Sequence, residues 1–175
     1  MRAALTLILC LAAAPAAAAC RLALLLALDV SASVDRDEDR LQRQGLARAL
    51  MAPAVEEAFL AFGTEQVALA VYEWSGRYQQ DMLLDWTVIA GAEDLAVAAA
   101  AIATSKRGHD DMPTALGYAL GHAAGLFRRA PDCAQWKLDV SGDGRNNEGF
   151  GPDLAYREFP LGRVTVNGLA IAESD

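Results

Sequence analysis

The sequence has few of the residues from which transition-metal sites are built, with two histidines and three cysteines in 175 residues. His109 and His122 are too far apart to act as a ligand pair on one turn of a helix. Zinc sites normally use such histidine pairs or clusters of cysteines. This scarcity argues against a zinc centre.

The sequence also has few positive charges, with 15 Lys and Arg residues against 23 Asp and Glu residues and a formal net charge of −8. Nucleic acids and anionic lipid surfaces repel a domain with this charge. We therefore expect neither as the main partner. Acidity that only keeps an exported protein soluble is the alternative explanation.

Beyond Cys20 the sequence lacks any apolar run long enough to span a membrane, so no span is expected in the mature chain. The start of the chain is different. Arg2 precedes a short apolar stretch at residues 5–11, and alanines occupy positions 17–19. This layout predicts a signal peptide over residues 1–19 and an exported mature domain, periplasmic or extracellular, over residues 20–175. A retained membrane anchor is the alternative.

Cysteine usage fits export. Cys10 lies in the predicted signal peptide, so the mature chain keeps an even pair, Cys20 and Cys133. In an oxidising compartment these two would be expected to form a disulfide. Lipidation of Cys20 after cleavage is the alternative, although the residues before it are all alanine, whereas a lipoprotein signal usually has leucine three positions before the cysteine.

The remaining pattern alternates apolar strands with amphipathic helices. Continuous apolar runs such as residues 21–29 and 66–74 are typical of strands buried on both faces of a parallel sheet. Leu41, Leu46 and Leu50 mark the apolar face of the first helix, with Arg43 among its polar positions. The chain predicts one α/β domain with a largely parallel sheet. The other predicted strands are 82–89, 136–141 and 163–171, and the later helices are 55–62, 92–104, 113–129 and 153–159.

Small oxygen-bearing side chains cluster where these strands end. Asp29, Ser31 and Ser33 follow the first strand, Asp143 follows the fourth, and Thr114 precedes a helix. Binding sites of parallel sheets form at the carboxyl ends of the strands. Ligands that offer only oxygen suit hard cations such as Mg²⁺, Mn²⁺ or Ca²⁺.

These residues resemble a known pattern. An Asp-x-Ser-x-Ser run, a distant threonine and an Asp-Gly turn are similar to the metal-ion-dependent adhesion site (MIDAS) of von Willebrand factor type A (vWA) domains. The phrases ALDVSASVD, YEWSG and DVSGDGRNN resemble a bacterial family of exported proteins catalogued as a domain of unknown function. The resemblance implies a three-layer Rossmann-like fold, whose mostly parallel sheet has one antiparallel edge strand and helices on both faces.

The resemblance also implies a role for each residue. Ser31 and Ser33 would bind one divalent cation directly, with Mg²⁺ favoured over Mn²⁺ and Ca²⁺. Thr114 would bind it directly or through water, and Asp29 and Asp143 would do the same while orienting the hydroxyls. A partner carboxylate would complete the coordination, so the expected function is a non-enzymatic, cation-dependent module that binds a protein bearing Asp or Glu. The expected rim or supporting groups are Glu73, Asp110, Asp111 and Asn146.

Other interpretations stay open. Ser33 or Asp35 could simply cap the following helix, and Thr114 could simply begin one. The chain could be a scaffold or assembly subunit in which a metal is incidental. A metal-dependent hydrolase built on Ser31, His109 and Asp143 is a weaker alternative, because the sequence has no Gly-x-Ser-x-Gly elbow.

Two further expectations follow from the resemblance. The first and fourth strands of a vWA domain are parallel neighbours, which would place Cys20 beside Cys133 at the edge opposite the metal site. The domains that the sequence resembles continue beyond the fifth strand with a helix, a strand and a helix. This sequence ends at Asp175, so a C-terminally incomplete domain is expected.

Overall fold

The computed structural model describes residues 19–170. The predicted signal peptide lies outside this range except for Ala19, as do residues 171–175. Strands and helices follow one another in the described part as β1 (Cys20–Asp29), α1 (Arg36–Leu50), α2 (Pro53–Leu60), β2 (Gln66–Trp74), β3 (Gln80–Ile89), α3 (Ala92–Thr104), α4 (Leu116–Phe127), β4 (Cys133–Gly142), α5 (Pro152–Glu158) and β5 (Val164–Ala170).

The strands form one sheet in the order β3-β2-β1-β4-β5. β1 runs parallel to β2 and β4, and β4 runs parallel to β5. β3 is antiparallel to β2 and lies at the edge. Helices cover both faces, α1 to α3 on one and α4 with α5 on the other. This is the three-layer α/β arrangement, with one antiparallel edge strand, that the resemblance to vWA domains implies.

Apolar residues of the central strands fill the core on both faces of the sheet. Leu25, Tyr72 and Leu138 pack towards α4 and α5, whereas Leu69 and Val71 pack towards α1 and α3. Strands covered on both faces read as continuous apolar runs. The Tyr72 hydroxyl donates to the carbonyl of Ala119 at 2.9 Å, which satisfies a phenol whose pKa is raised by burial.

The predicted orientation of α1 is wrong at two positions. Leu41 is 68% exposed, whereas Arg43 is only 4% exposed. Arg43 enters the interior because its guanidinium is satisfied there: it forms an ion pair with Glu73 and donates to Asp39 at 2.8 Å. Leu41 instead borders an apolar groove between α1 and β5. Periodicity alone does not reveal a buried ion pair, since Arg43 reads as a polar position.

The two cysteines lie side by side on adjacent parallel strands. Cys20 of β1 is in register with Cys133 of β4, and the pair forms a disulfide with a Cα–Cα distance of 4.4 Å. The expected disulfide is confirmed. None of the helices within residues 19–170 combines the length and the apolar character needed to cross a bilayer.

Candidate metal centre

The first part of the site is the loop that joins β1 to α1. Asp29 ends β1 and is fully buried, and its Oδ1 accepts a hydrogen bond from the Ser31 amide at 2.8 Å. The Ser31 and Ser33 hydroxyls are 3.1 Å apart. Asp35 caps α1 by accepting from the amides of Asp37 and Glu38. Of the two residues that could cap α1, Asp35 is therefore the cap, and the Ser33 side chain belongs to the cluster of hydroxyls instead.

The second part is the segment before α4. The Thr114 amide donates to Asn147 Oδ1 at 2.9 Å, and the Thr114 carbonyl accepts from the Asn147 amide at 3.0 Å. The next amide, of Ala115, donates to the carbonyl of Ser75 at 2.8 Å. These long-range bonds hold the backbone outside the helix, so α4 begins at Leu116 and the predicted start at Pro113 is wrong. The Thr114 hydroxyl donates to Ser31 Oγ at 3.1 Å.

The third part is the turn after β4, which brings Asp143 to the same edge of the sheet. The Ser33 hydroxyl donates to Asp143 Oδ1 at 2.7 Å. A chain of hydrogen bonds thus connects the side chains of Thr114, Ser31, Ser33 and Asp143, and Asp29 joins it through the Ser31 amide. The structure brings all five predicted residues together.

One oxygen in this cluster is unsatisfied. Asp29 Oδ2 is buried and has no hydrogen-bond partner within the described part of the chain. Burial is the main cause that raises the pKa of Asp29 to about 6, and the negative charge of Asp143 adds to it, while hydrogen bonds from Ser31 and, more weakly, the backbone amide of Asp143 act in the opposite direction. Burying a carboxylate without a compensating partner is unfavourable. A cation beside Oδ2 would compensate this charge.

Glycines keep space open beside the cluster. A Cβ on Gly142 would lie 3.1 Å from Asp29 Oδ2. A Cβ on Gly144 would lie 3.4 Å from Ser33 Oγ and 3.5 Å from Thr114 Oγ1. Residues 19–170 contain no group of three or more His, Cys, Asp or Glu side chains placed to hold a metal. Three hydroxyls and two carboxylates nevertheless form an all-oxygen donor set, which fits a hard divalent cation.

The predicted rim residues do not act as a group. Glu73 is buried, and its oxygens are occupied by Arg43 and by the Gly108 amide at 2.7 Å. Asp110 and Asp111 are exposed, and Asp110 lies 3.7 Å from Arg36. Asn146 Oδ1 accepts from the Gly117 amide at 3.2 Å. Of these four, Asn146 supports the loop that carries Asp143, and Glu73 supports a different segment.

Asn147, next in sequence to Asn146, makes the more direct contact and was not predicted in this role. Its side chain and its amide both bind the backbone of Thr114. Two adjacent asparagines after an Asp-Gly turn were the available signal, since Asn side chains often bind nearby backbone groups. Because Thr114 and Asn147 are far apart in the sequence, the Thr114 backbone could not be recognised as the partner of Asn147.

The hydrolase interpretation receives no support from the geometry. The Ser31 hydroxyl is bonded to the hydroxyls of Ser33 and Thr114 rather than to an imidazole. His109 Nε2 lies 3.6 Å from Asp81. His122 packs against Tyr72, with ring centroids 5.2 Å apart, and burial lowers its pKa.

Solved structures with the same architecture identify the class of fold. Proximal thread matrix protein 1 from the mussel byssus superposes with a TM-score of 0.65 at 16% identity, covering 89% of this chain and 39% of that one. The von Willebrand factor type A protein from Catenulispora acidiphila gives 0.64 at 20% identity, covering 88% and 34%. The chain thus spans under two fifths of the length of either. It has the vWA Rossmann-like fold.

Sequence comparison then assigns the family. The model of the family described as protein of unknown function DUF1194 matches residues 19–175, and the chain belongs to that family. No curated protein matches the sequence. Another structure of the mussel protein is described as having a zinc-occupied MIDAS motif, at 15% identity and a TM-score of 0.65, covering 89% of this chain and 39% of that one.

Proposed function

We propose that this chain is a divalent-cation-dependent protein-binding module of an exported protein, acting in the periplasm or outside the cell. The observation that carries the proposal is a cluster of five oxygen-bearing side chains in which Oδ2 of Asp29 is buried and has no hydrogen-bond partner among residues 19–170. The disulfide between Cys20 and Cys133 supports an oxidising location.

Each residue has a defined part in this proposal. The hydroxyls of Ser31, Ser33 and Thr114 would hold the cation, and Asp29 and Asp143 would bind it directly or through water. Because the hydroxyl ligands carry no formal charge, a cation that Asp29 and Asp143 contact through water would keep most of its positive charge, and it would therefore attract an anionic ligand. We propose Mg²⁺ as the ion, with Mn²⁺ and Ca²⁺ as alternatives.

The partner that suits such a site is a protein that offers an Asp or Glu side chain. Similar folds occur in a mussel thread matrix protein and in the pilus adhesin SpaC from Lactobacillus rhamnosus GG, the latter at 16% identity with a TM-score of 0.53, covering 71% of this chain and 15% of that one. These relatives support a binding role rather than an enzymatic one.

Calorimetric titration of the purified, disulfide-bonded domain with Mg²⁺, Mn²⁺ and Ca²⁺ tests the proposal. We expect one saturable site in the wild type and none in Asp29→Ala. Asp132→Ala is the matched control, because Asp132 is an exposed aspartate beside Cys133, at the opposite end of β4. Cation binding by Asp29→Ala with wild-type affinity would contradict the proposal.

A scaffold in which the metal is incidental is the second candidate. It is favoured by one observation, the hydrogen-bond chain through Ser31, Ser33 and Thr114, which satisfies the hydroxyls without a cation. Capture of partners from an envelope fraction separates the two candidates. A partner held in Mg²⁺ and released by EDTA supports the cation-dependent module, whereas a partner held equally in EDTA and by Asp29→Ala supports the scaffold.

A further inference from the structure

One arginine connects two of the segments that form the candidate metal site. Arg107 lies in the 105–115 connection between α3 and α4. Its Nη2 donates to the carbonyls of Val30 at 2.8 Å and Ser31 at 2.9 Å, and its Nη1 donates to the carbonyl of Val34 at 2.9 Å. Its Nε donates to the carbonyl of His109 at 2.8 Å. A single guanidinium therefore binds three carbonyls of the loop that joins β1 to α1.

These contacts fix the backbone of the segments that carry the candidate cation ligands. The three carbonyls belong to or flank the segment that presents Ser31 and Ser33, and the 105–115 connection presents Thr114. A backbone bond from the Ala32 amide to the Met112 carbonyl at 2.8 Å joins the same two segments. Displacement of either segment would change the distances from the Thr114 hydroxyl to the hydroxyls of Ser31 and Ser33.

The connection is itself anchored beside Arg107. The Gly108 amide donates to Glu73 Oε1 at 2.7 Å, and Glu73 is held in the interior by its ion pair with Arg43. A Cβ at position 108 would lie 2.9 Å from Glu73 Oε1 and 2.8 Å from Asp81 Oδ2, so a larger residue would have to displace the buried Glu73 carboxylate as well as the exposed Asp81. Glu73 therefore supports the connection that carries Arg107.

We propose that Arg107 is a positioning residue that assembles the cation site before the cation arrives, without binding the cation itself. The proposal rests on the proposed function for the identity of the ligand. A positive charge near a bound cation repels it, so electrostatics alone would not select arginine here. The planar guanidinium offers five donors in a fixed geometry, which can bind several carbonyls at once in a way that lysine cannot reproduce.

Titration with Mg²⁺ and Mn²⁺ of Arg107→Gln, Arg107→Lys and Arg36→Gln tests the proposal. Arg36 is the matched control, because it pairs with Asp110 of the same connection but is exposed. If Arg107 positions the site, both Arg107 variants should bind the cation about 10- to 100-fold more weakly than the wild type, which is the usual effect of removing a group that orients metal ligands. Arg36→Gln should bind as tightly as the wild type or more tightly. Wild-type or tighter binding by Arg107→Gln would overturn the proposal.

Hydrogen exchange in EDTA provides a readout that does not depend on the cation. In Arg107→Gln we expect faster exchange of amides in residues 30–35 and 105–115, with unchanged exchange in β1 and β2. Equal loss of protection throughout the sheet would reduce Arg107 to a general stabilising role and would overturn the proposal. If the wild type binds no cation, the proposed function fails, and the exchange experiment still decides whether Arg107 orders the two segments.

Discussion

Asp29 lowers the stability of the fold while supplying a group that the proposed function needs. It is fully buried, one of its oxygens has no partner in the described part of the chain, and its pKa is raised mainly by burial. Most interior polar groups are paired, so an unpaired carboxylate oxygen points to a role that folding alone does not require. Functional sites commonly retain such costs because optimising them for stability would remove the function.

We therefore expect Asp29→Asn to stabilise the cation-free domain. The amide keeps the shape of the side chain and an acceptor for the Ser31 amide, and it removes a buried negative charge. We expect a gain of about 1 kcal/mol in the free energy of unfolding, because a buried charge costs more than a buried neutral amide, although the NH2 group of the amide would still need a partner at this position. Urea unfolding at pH 7 in EDTA measures it.

The order should reverse in excess Mg²⁺, because only the wild type would then gain stability from binding. Asp132→Asn serves as the control and should change stability by about 0.5 kcal/mol or less in either condition, as surface substitutions usually do. An Asp29→Asn variant that is less stable than the wild type in EDTA would show that the charge is already compensated within the protein.

At the scale of elements, the connections between helices and strands decide how the site is assembled. The loop between β4 and α5 carries Asp143 and the two asparagines, and it crosses the first turn of α4. Gly117 lies at this crossing, where an added Cβ would be 2.1 Å from the Phe150 carbonyl oxygen. Gly117 is the second residue of α4, and a larger residue there would collide with the Phe150 backbone, so the glycine reflects the close approach.

Gly117→Ala should therefore displace the loop between β4 and α5. We expect a loss of about 1 to 3 kcal/mol in the free energy of unfolding, the typical effect of overpacking, and weaker Mg²⁺ binding. Gly125→Ala is the control on the same helix, since its Cβ would meet only the end of Arg128 at 4.0 Å. That substitution should stabilise the domain by up to about 1 kcal/mol through helix propensity. Thermal unfolding and calorimetry of both variants measure these effects. Equal stability and equal Mg²⁺ affinity of the two variants would contradict the view that the close approach at Gly117 positions the loop.

Features of the fold that leave a local pattern in the sequence could be predicted, and features that depend on distant contacts could not. Strand positions were correct to within a few residues because burial on both faces leaves a local apolar signature, as in residues 66–74. The five candidate ligands could be selected because they follow strand ends or precede a helix. Arg107 and Asn147 could not be selected, because their roles depend on backbone groups far away in sequence. The start of α4 was wrong for the same reason.

Across the molecule, β1 and β4 run from the disulfide at one edge of the sheet to the candidate metal site at the other. Each strand begins at a cysteine, and at its far end β1 finishes at Asp29 while β4 leads into Asp143. At about 3.3 Å per residue, a ten-residue strand separates its ends by roughly 30 Å. The disulfide can therefore stabilise the pairing of the two strands without contact with the candidate metal site.

Replacing both cysteines in Cys20→Ser, Cys133→Ser should separate stability from binding. The disulfide closes a loop with a sequence separation of 113 residues. Loss of such a cross-link should lower the free energy of unfolding by about 4 to 5 kcal/mol in the chain-entropy model. Urea unfolding measures this loss, and the reduced wild type should match the double variant. Where the variant is still folded, its Mg²⁺ affinity should equal that of the wild type, because the ligands lie at the other edge of the sheet. Weaker binding by the folded variant would mean that the spacing of β1 and β4 at the cysteine edge is transmitted along both strands to Asp29 and Asp143.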